Sequence, residues 1–282
     1  MVREETPAVY GIAGYFQSLW LMTAICWFPH HPAAYPLLMT GIIESFTGKL
    51  AYTSGAPDRF GAERGRESFR IDVHRDGCKV VSAHCEIDDP PPVVRDVSLR
   101  IDPQGRPADC FVRIAVGGAF RGSAWFTFDS AQAECEAQTL MEGRVSQKMP
   151  LQRPLPGFGN HAIINDGMLL SQYDLTQGPG TQIVEKLLLS SPDHRGATGP
   201  LLFAVDLAIQ YHGPETIETA AGRFDAHKFS YTDVPGLLQA HPPYDLWCTA
   251  DGHYILLKAE VGGYMQTRYE LVQLCHLKHA AA

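Results

Sequence analysis

Residues 69–87 read FRIDVHRDGCKVVSAHCEI, and this stretch decides the fold. Phe69, Ile71 and Val73 alternate with Arg70, Asp72 and His74; Asp76-Gly77 turns the chain; Val81, Ala83, Cys85 and Ile87 then share one face. Period-two alternation on both sides of an Asp-Gly dipeptide is the pattern of a half-buried hairpin. A helix would repeat its apolar positions every three or four residues, and this stretch does not.

The same pattern recurs downstream. A Pro90-Pro91-Pro92 break leads into residues 93–102 and 109–116, which flank Pro103-Gln-Gly-Arg106 as another hairpin. Gly117-Gly118 and Gly122 bend the chain before Trp125-Phe-Thr-Phe128, and residues 133–141 continue the meander. The Pro-rich stretch 150–160 is a long irregular connection, suited to a boundary between two half-sheets or to a lid. Beyond it, residues 161–175, 182–190, 201–212, 223–231, 254–261 and 264–274 read as further strands, with a Gly-rich loop at 196–199. The predicted fold class is all-β, mainly antiparallel. Residues 39–282 form a lipocalin-like barrel or curved β-sandwich, either one domain or two half-sheets joined near 150–160.

Residues 1–38 read differently. Between Val9 and Phe28 there is no charged residue, which raises the question of a membrane span. Gly11, Gly14, Gln17, Ser18 and Thr23 dilute the run, Arg3 is the only nearby basic flank, and no small-residue cleavage site follows. The reading preferred is an apolar helix that docks on the domain or forms a homo-oligomer contact; a membrane anchor and a later start at Met22 or Met39 are the alternatives.

Charge narrows the partners. The chain has 23 Lys and Arg against 31 Asp and Glu, a net charge of -8, scattered without basic blocks. Nucleic acid and anionic lipid surfaces are therefore disfavoured. Seven cysteines, Cys26, Cys78, Cys85, Cys110, Cys135, Cys248 and Cys275, are an odd number with no C-x-x-C pair, which predicts free thiols and a cytoplasmic location. No G-x-G-x-x-G, Walker-type, H-E-x-x-H, G-x-S-x-G or EF-hand motif is present. His30-His31 is the only adjacent histidine pair, and neighbouring side chains diverge, so neither cofactor nor metal is expected.

Polar residues on apolar strand faces supply the candidate site. Arg95 shares a face with Val93, Val97, Leu99 and Ile101, so it is predicted to be internal, as half of an ion pair or as an anchor for a ligand carboxylate, phenolate or oxyanion. Asp225, His227, Phe229 and Tyr231 line one face of their strand. His161, Asp166 and Tyr173 follow the Pro-rich connection, with Asn165-Asp166-Gly167 read as a turn at the sheet mouth. His241-Pro-Pro-Tyr-Asp-Leu-Trp247 offers Tyr244 and Trp247 as stacking surface, or as a rigid strand-entry loop. Ala83, Cys85, Cys110, Ala133, Cys135 and Ala137 are small residues on inward faces, which leaves room for a cavity.

The later half resembles a known pattern. Gly199-Pro-Leu-Leu-Phe203, Thr219-Ala-Ala-Gly-Arg-Phe-Asp-Ala-His227 and Trp247-Cys-Thr-Ala-Asp-Gly-His253 resemble segments of bacterial β-rich domains of unknown function. The resemblance covers residues 200–274, implies β architecture and transfers no catalytic residue.

The expected function is binding of a small hydrophobic molecule, aromatic or terpenoid, in a β-enclosed pocket. Cofactor-independent acid–base chemistry of the isomerase, hydratase or lyase type would act on it. His161, ahead of His227, moves a proton; Arg95 or Tyr231 stabilises developing charge; Asp166, Tyr173, Phe229, Tyr244 and Trp247 hold the substrate. The alternatives are a non-catalytic carrier with the same pocket, and an interaction protein acting through the apolar N-terminus.

Overall fold

The computed structural model describes residues 41–237 and 240–279. The expectations placed on residues 1–38, a helix, an oligomer contact or a membrane anchor, lie outside the described residues. Among the described residues no helix is long and apolar enough to cross a membrane.

Among the described residues fifteen strands form one sheet. The first eight are β1 (Ile42–Ser54), β2 (Glu63–His74), β3 (Lys79–Ile87), β4 (Val93–Ile101), β5 (Pro107–Val116), β6 (Ala119–Phe128), β7 (Gln132–Thr139) and β8 (Gly143–Pro150). The other seven are β9 (Phe158–Gly159), β10 (Gly180–Leu189), β11 (Phe203–Thr219), β12 (Gly222–Asp233), β13 (Tyr244–Thr249), β14 (Leu256–Val261) and β15 (Thr267–Lys278). The first strand lies in the middle of the sheet, where β1 pairs with β2 on one side and β15 on the other. From there the order runs out to β8 on one flank and back through β14 to β9 on the other. Every pairing is antiparallel except that of β9 with β10.

This order makes the sheet curl. Strands β8 and β9 are its two edges yet are consecutive in the chain, joined by the Pro-rich connection. Fully stretched, that connection spans about 28 Å, whereas fifteen strands laid flat would hold their edges about 67 Å apart. The chain after β10 helps to close the gap: the Leu202 N–H donates to Gln147 Oε1 on β8 at 2.7 Å. Pro200 sits so close to Gly122 of β6 that a Cβ there would lie 2.8 Å from its ring.

Ala83, Cys85, Cys110, Ala133, Cys135 and Ala137 are all buried. Much of the room they leave is taken by the chain entering from β9. The Phe158 ring packs on Phe126 and Phe128 at 4.8 and 4.9 Å, and the Asn160 amide reaches Cys110 Sγ at 3.7 Å. Small wall residues here admit an infolded segment as well as space.

That segment corrects the strand expected over 161–175. It contains helix α1 (Ile163–Leu169), followed by a tight turn at Leu170–Gln172. Asn165-Asp166-Gly167 is therefore inside a helix, not a turn at the sheet mouth. The local sequence carries no capping side chain, because Ala162 occupies the cap position. The orphan amides of Ile163 and Ile164 are met instead by Glu67 of β2, at 2.8 and 2.9 Å. A tertiary contact thus supplies what local propensity lacks.

The segments that carry the family resemblance form real sheet. Thr219 and Gly222 close the β11–β12 hairpin, and Trp247 of β13 pairs with Lys228 of β12.

Candidate functional site

Three residues on neighbouring strands form a polar row inside the curled sheet. Glu67 on β2 faces Cys85 on β3, which faces Arg95 on β4. Opposed residues share a face, so all three point inward. Glu67 is 1% exposed and Arg95 2%. The Glu67 carboxyl accepts from Tyr52 Oη at 2.6 Å and Cys85 Sγ at 3.2 Å, besides the two α1 amides. With Cys85 between them, Glu67 and Arg95 form no direct pair. The Arg95 guanidinium donates to the backbone carbonyls of His161 and Arg195, and among the described residues it forms no salt bridge.

Both carbonyls come from chain that is held tightly. His161 has φ of 63°, in the left-handed region that non-glycine residues rarely occupy. Gly196 has φ of 58°, and a Cβ there would lie 2.6 Å from Arg95 Nη2 and 2.7 Å from His161 Cγ. Only glycine lets the 193–198 turn approach the guanidinium this closely.

Arg95 lines a cleft of about 420 Å³, within the range of small-molecule sites. Arg59, Arg64 and Arg195 line it too, against one carboxylate, Asp89. Asp89 is occupied by Arg64, whose Nε donates to it at 2.6 Å. The Arg195 Nη2 donates to the carbonyls of Asp89 and Pro91 at 3.1 and 3.0 Å. A chain of net charge -8 thus gathers four guanidiniums at one concavity, where low-dielectric walls focus their field.

A smaller cavity of about 90 Å³, room for about three waters, shares His161, Ile163, His194, Met265 and Tyr269 with the cleft. Its walls are mostly apolar, with Leu169, Leu187, Leu207 and Val261 among others, and His194, His241 and Tyr231 also line it. Asp166 enters among them. Tyr244 Oη donates to Asp166 Oδ2 and Tyr231 Oη to the Asp166 carbonyl, both at 2.8 Å. Among the described residues Oδ1 has no partner. Burial raises the Asp166 carboxyl to about 7, against the restraining hydrogen bond from Tyr244. Gly167 fixes the approach, since a Cβ there would come 2.5 Å from the Tyr254 carbonyl.

Arg95, His161, Asp166, Tyr231 and Tyr244 are therefore gathered around two adjoining cavities. His161 is held neutral: burial, then the Arg95 charge, lowers it to about 3, while its Nε2 lies 3.2 Å from the Ser191 carbonyl. Such a ring is poorly matched to proton uptake near neutrality, and Asp166 is better matched. His227, Phe229 and Tyr173 form a separate aromatic cluster with Tyr211, whose Oη lies 2.8 Å from His227 Nδ1. Trp247 stands apart from both groups. Its indole donates to Glu215, and Lys228 and Lys258 lie over its ring at 4.9 and 4.7 Å. Among the described residues no three His, Cys, Asp or Glu side chains converge as a metal site.

Glu67, Arg64 and Arg195 belong to this centre and were not singled out from the sequence. Glu67 was readable, because it shares parity with Phe69 and Ile71 on β2, the same argument that places Arg95 inside. Arg195 carries no such signal, since it lies in a loop.

No family model matches the sequence, and no curated protein matches it. Among solved structures it is similar to a β-barrel-like protein of domain of unknown function DUF1849 from Brucella abortus. That match has a TM-score of 0.54 at 9% identity and covers 85% of this chain and 99% of the other. A Bacteroides fragilis protein with a YmcC-like fold matches at a TM-score of 0.31 and 11% identity, covering 84% of this chain and 96% of its own. A protein from Parabacteroides distasonis matches at 0.31 and 12%, covering 84% and 97%. The first likeness shows the fold, a β-barrel-like sheet, and agrees with the resemblance to β-rich bacterial domains of unknown function.

Proposed function

We propose that this protein binds a small amphipathic anion, with its charged group in the arginine-lined cleft and an apolar group in the inner cavity. One observation carries the reading: Arg95 is buried at the cleft wall without a carboxylate partner. A buried cation costs several kcal/mol unless an anion meets it, on the order of what a bound carboxylate or phosphate would offset. The hydrophobic ligand expected from the sequence keeps its place in the inner cavity, but the wider cleft selects negative charge. The small inner volume sets the size of the apolar group that can enter it. The odd number of cysteines without a C-x-x-C pair supports a reducing compartment.

A matched set of probes tests this: hexanoate, hexyl phosphate, hexanol and hexylammonium, titrated calorimetrically into the full chain. At least one of the anions should bind about tenfold tighter than hexanol, the worth of a charge-assisted hydrogen bond. The advantage should shrink with added salt and in Arg195→Gln, a rim variant. Equal affinity for hexanol and both anions, tighter binding of hexylammonium, or no binding by any probe would overturn the reading.

A further inference from the structure

Asp166 is the one carboxylate that lines the inner cavity among the described residues, and an apolar tail does not explain it. Leu169, Leu187, Leu207 and Val261 would suit a purely hydrocarbon group, yet Asp166 projects a carboxyl among them. Its position is fixed from two sides: Tyr231 holds its carbonyl and Tyr244 holds Oδ2. Those bonds turn Oδ1 loose from the protein, in a cavity lined mostly by carbon. Asp166 is half-buried, so Oδ1 is accessible from the cavity, where an apolar residue would continue the wall.

We infer that the ligand carries a hydroxyl at its apolar end and that Asp166 Oδ1 receives it. Resting on the anion reading above, this narrows the ligand class to hydroxylated amphipathic anions. The carboxylate or phosphate meets Arg95, the chain or ring passes Ile163 and Met265, which border both cavities, and the hydroxyl donates to Asp166. The raised titration of Asp166 suits the role, because a carboxyl near 7 can accept from a hydroxyl when ionised or exchange hydrogen bonds with it when protonated. Asp166 acts here as a specificity determinant: a site built around a hydroxyl disfavours the analogue lacking one, which leaves the carboxyl unpaired.

A chain-length ladder separates this inference from the reading on which it rests. Butanoate through octanoate are each compared with their ω-hydroxy counterparts on the wild-type protein, because the hydroxyl must reach Asp166 while the carboxylate stays on Arg95. For at least one length the hydroxy acid should bind about tenfold tighter than its parent, and the ratio should fall to near one in Asp166→Ala. If the parent acids bind and no length shows an advantage, a water satisfies Oδ1 and the inference is overturned while the anion reading stands. An advantage that survives in a folded Asp166→Ala overturns the assignment to Asp166. If no parent acid binds, the ladder is repeated with alkyl phosphates and their ω-hydroxy counterparts and read in the same way; if no parent phosphate binds either, the anion reading itself fails and this inference with it. Should Asp166→Ala not fold, the wild-type ladder still decides.

Discussion

Two carboxyls meet at α1, one receiving its first amides and one carried by the helix itself, and they are used in different ways. Glu67 is surrounded: Oε1 accepts from the Ile164 amide, and Oε2 from the Ile163 amide, Tyr52 and Cys85. Asp166 has Oδ2 on Tyr244 and leaves Oδ1 to the cavity. Glu67 is buried and the protein itself replaces the water it loses, whereas Asp166 is half-buried and keeps one oxygen accessible. The satisfied carboxyl builds the fold, by capping a helix that has no cap of its own. The half-satisfied one is, in our proposal, the carboxyl that meets the ligand.

Isosteric amides test that contrast without opening cavities. Glu67→Gln replaces an oxygen by an NH2 that must face a donor whichever way it is turned, because both carboxyl oxygens accept. It should destabilise the protein by about 3 kcal/mol. Asp166→Asn can keep its oxygen on Tyr244 and turn its NH2 toward the cavity, so its stability at pH 7 should stay within about 1 kcal/mol of wild type. Urea midpoints, followed by tryptophan fluorescence, give both values. Equal losses in the two variants would erase the distinction between a structural and a ligand-facing carboxyl.

The sequence shows these two regions unequally. Period-two alternation is local, so the strands around Phe69 and Val81 and the inward direction of Arg95 can be read directly, and Glu67 obeys the same parity. The sheet order cannot be read this way. The pairing of β1 with β15, which places the first strand mid-sheet, follows from no local pattern. Helix α1 is hidden for a related reason: its cap lies 96 residues away, so the local propensities of 161–175 look like strand. The cluster of arginines is also non-local. Arg95 comes from a strand, Arg195 from a loop, and the carbonyls that hold Arg95 depend on a strained His161 and on Gly196. Chemistry assembled from loops leaves little periodic trace.

A second test sets Asp166 against His161 through pH. In the folded protein Asp166 keeps its proton up to about 7, against an ordinary value of 3.8, so the native state holds the extra proton between these values. Its contribution to stability therefore falls as pH rises through that window, by up to about 1.4 kcal/mol per pH unit. His161 has the opposite sign. Held neutral down to about 3 against 6.5 ordinarily, it leaves the unfolded chain with the extra proton between 3 and 6.5, and its contribution rises with pH. The two oppose one another between about pH 4 and 6.5. Relative to wild type, Asp166→Asn should gain stability steadily with pH across that window. His161→Asn, chosen because asparagine tolerates the left-handed backbone, should lose it. Difference curves from urea midpoints at pH 4.5, 5.5 and 6.5 would check this, and curves parallel to wild type would mean that neither group titrates abnormally.

The smallest effect sharpens the contrast most. Tyr244→Phe removes the protein's only side-chain hydrogen bond to the Asp166 carboxyl among the described residues, and nothing else in the site needs to move. That bond favours the ionised form and so holds the group down against burial. Without it the Asp166 titration should move above 7, seen as the carboxyl band lost between wild-type and Asp166→Asn infrared difference spectra. Stability should change by less than about 1 kcal/mol, because a protonated carboxyl beside a small cavity can exchange its hydrogen bond with water. A titration that stays near 7 would mean that burial alone sets it. Tyr244 would then be a wall residue, and the orientation that offers Oδ1 to the cavity would have to come from the helix backbone and Tyr231 instead.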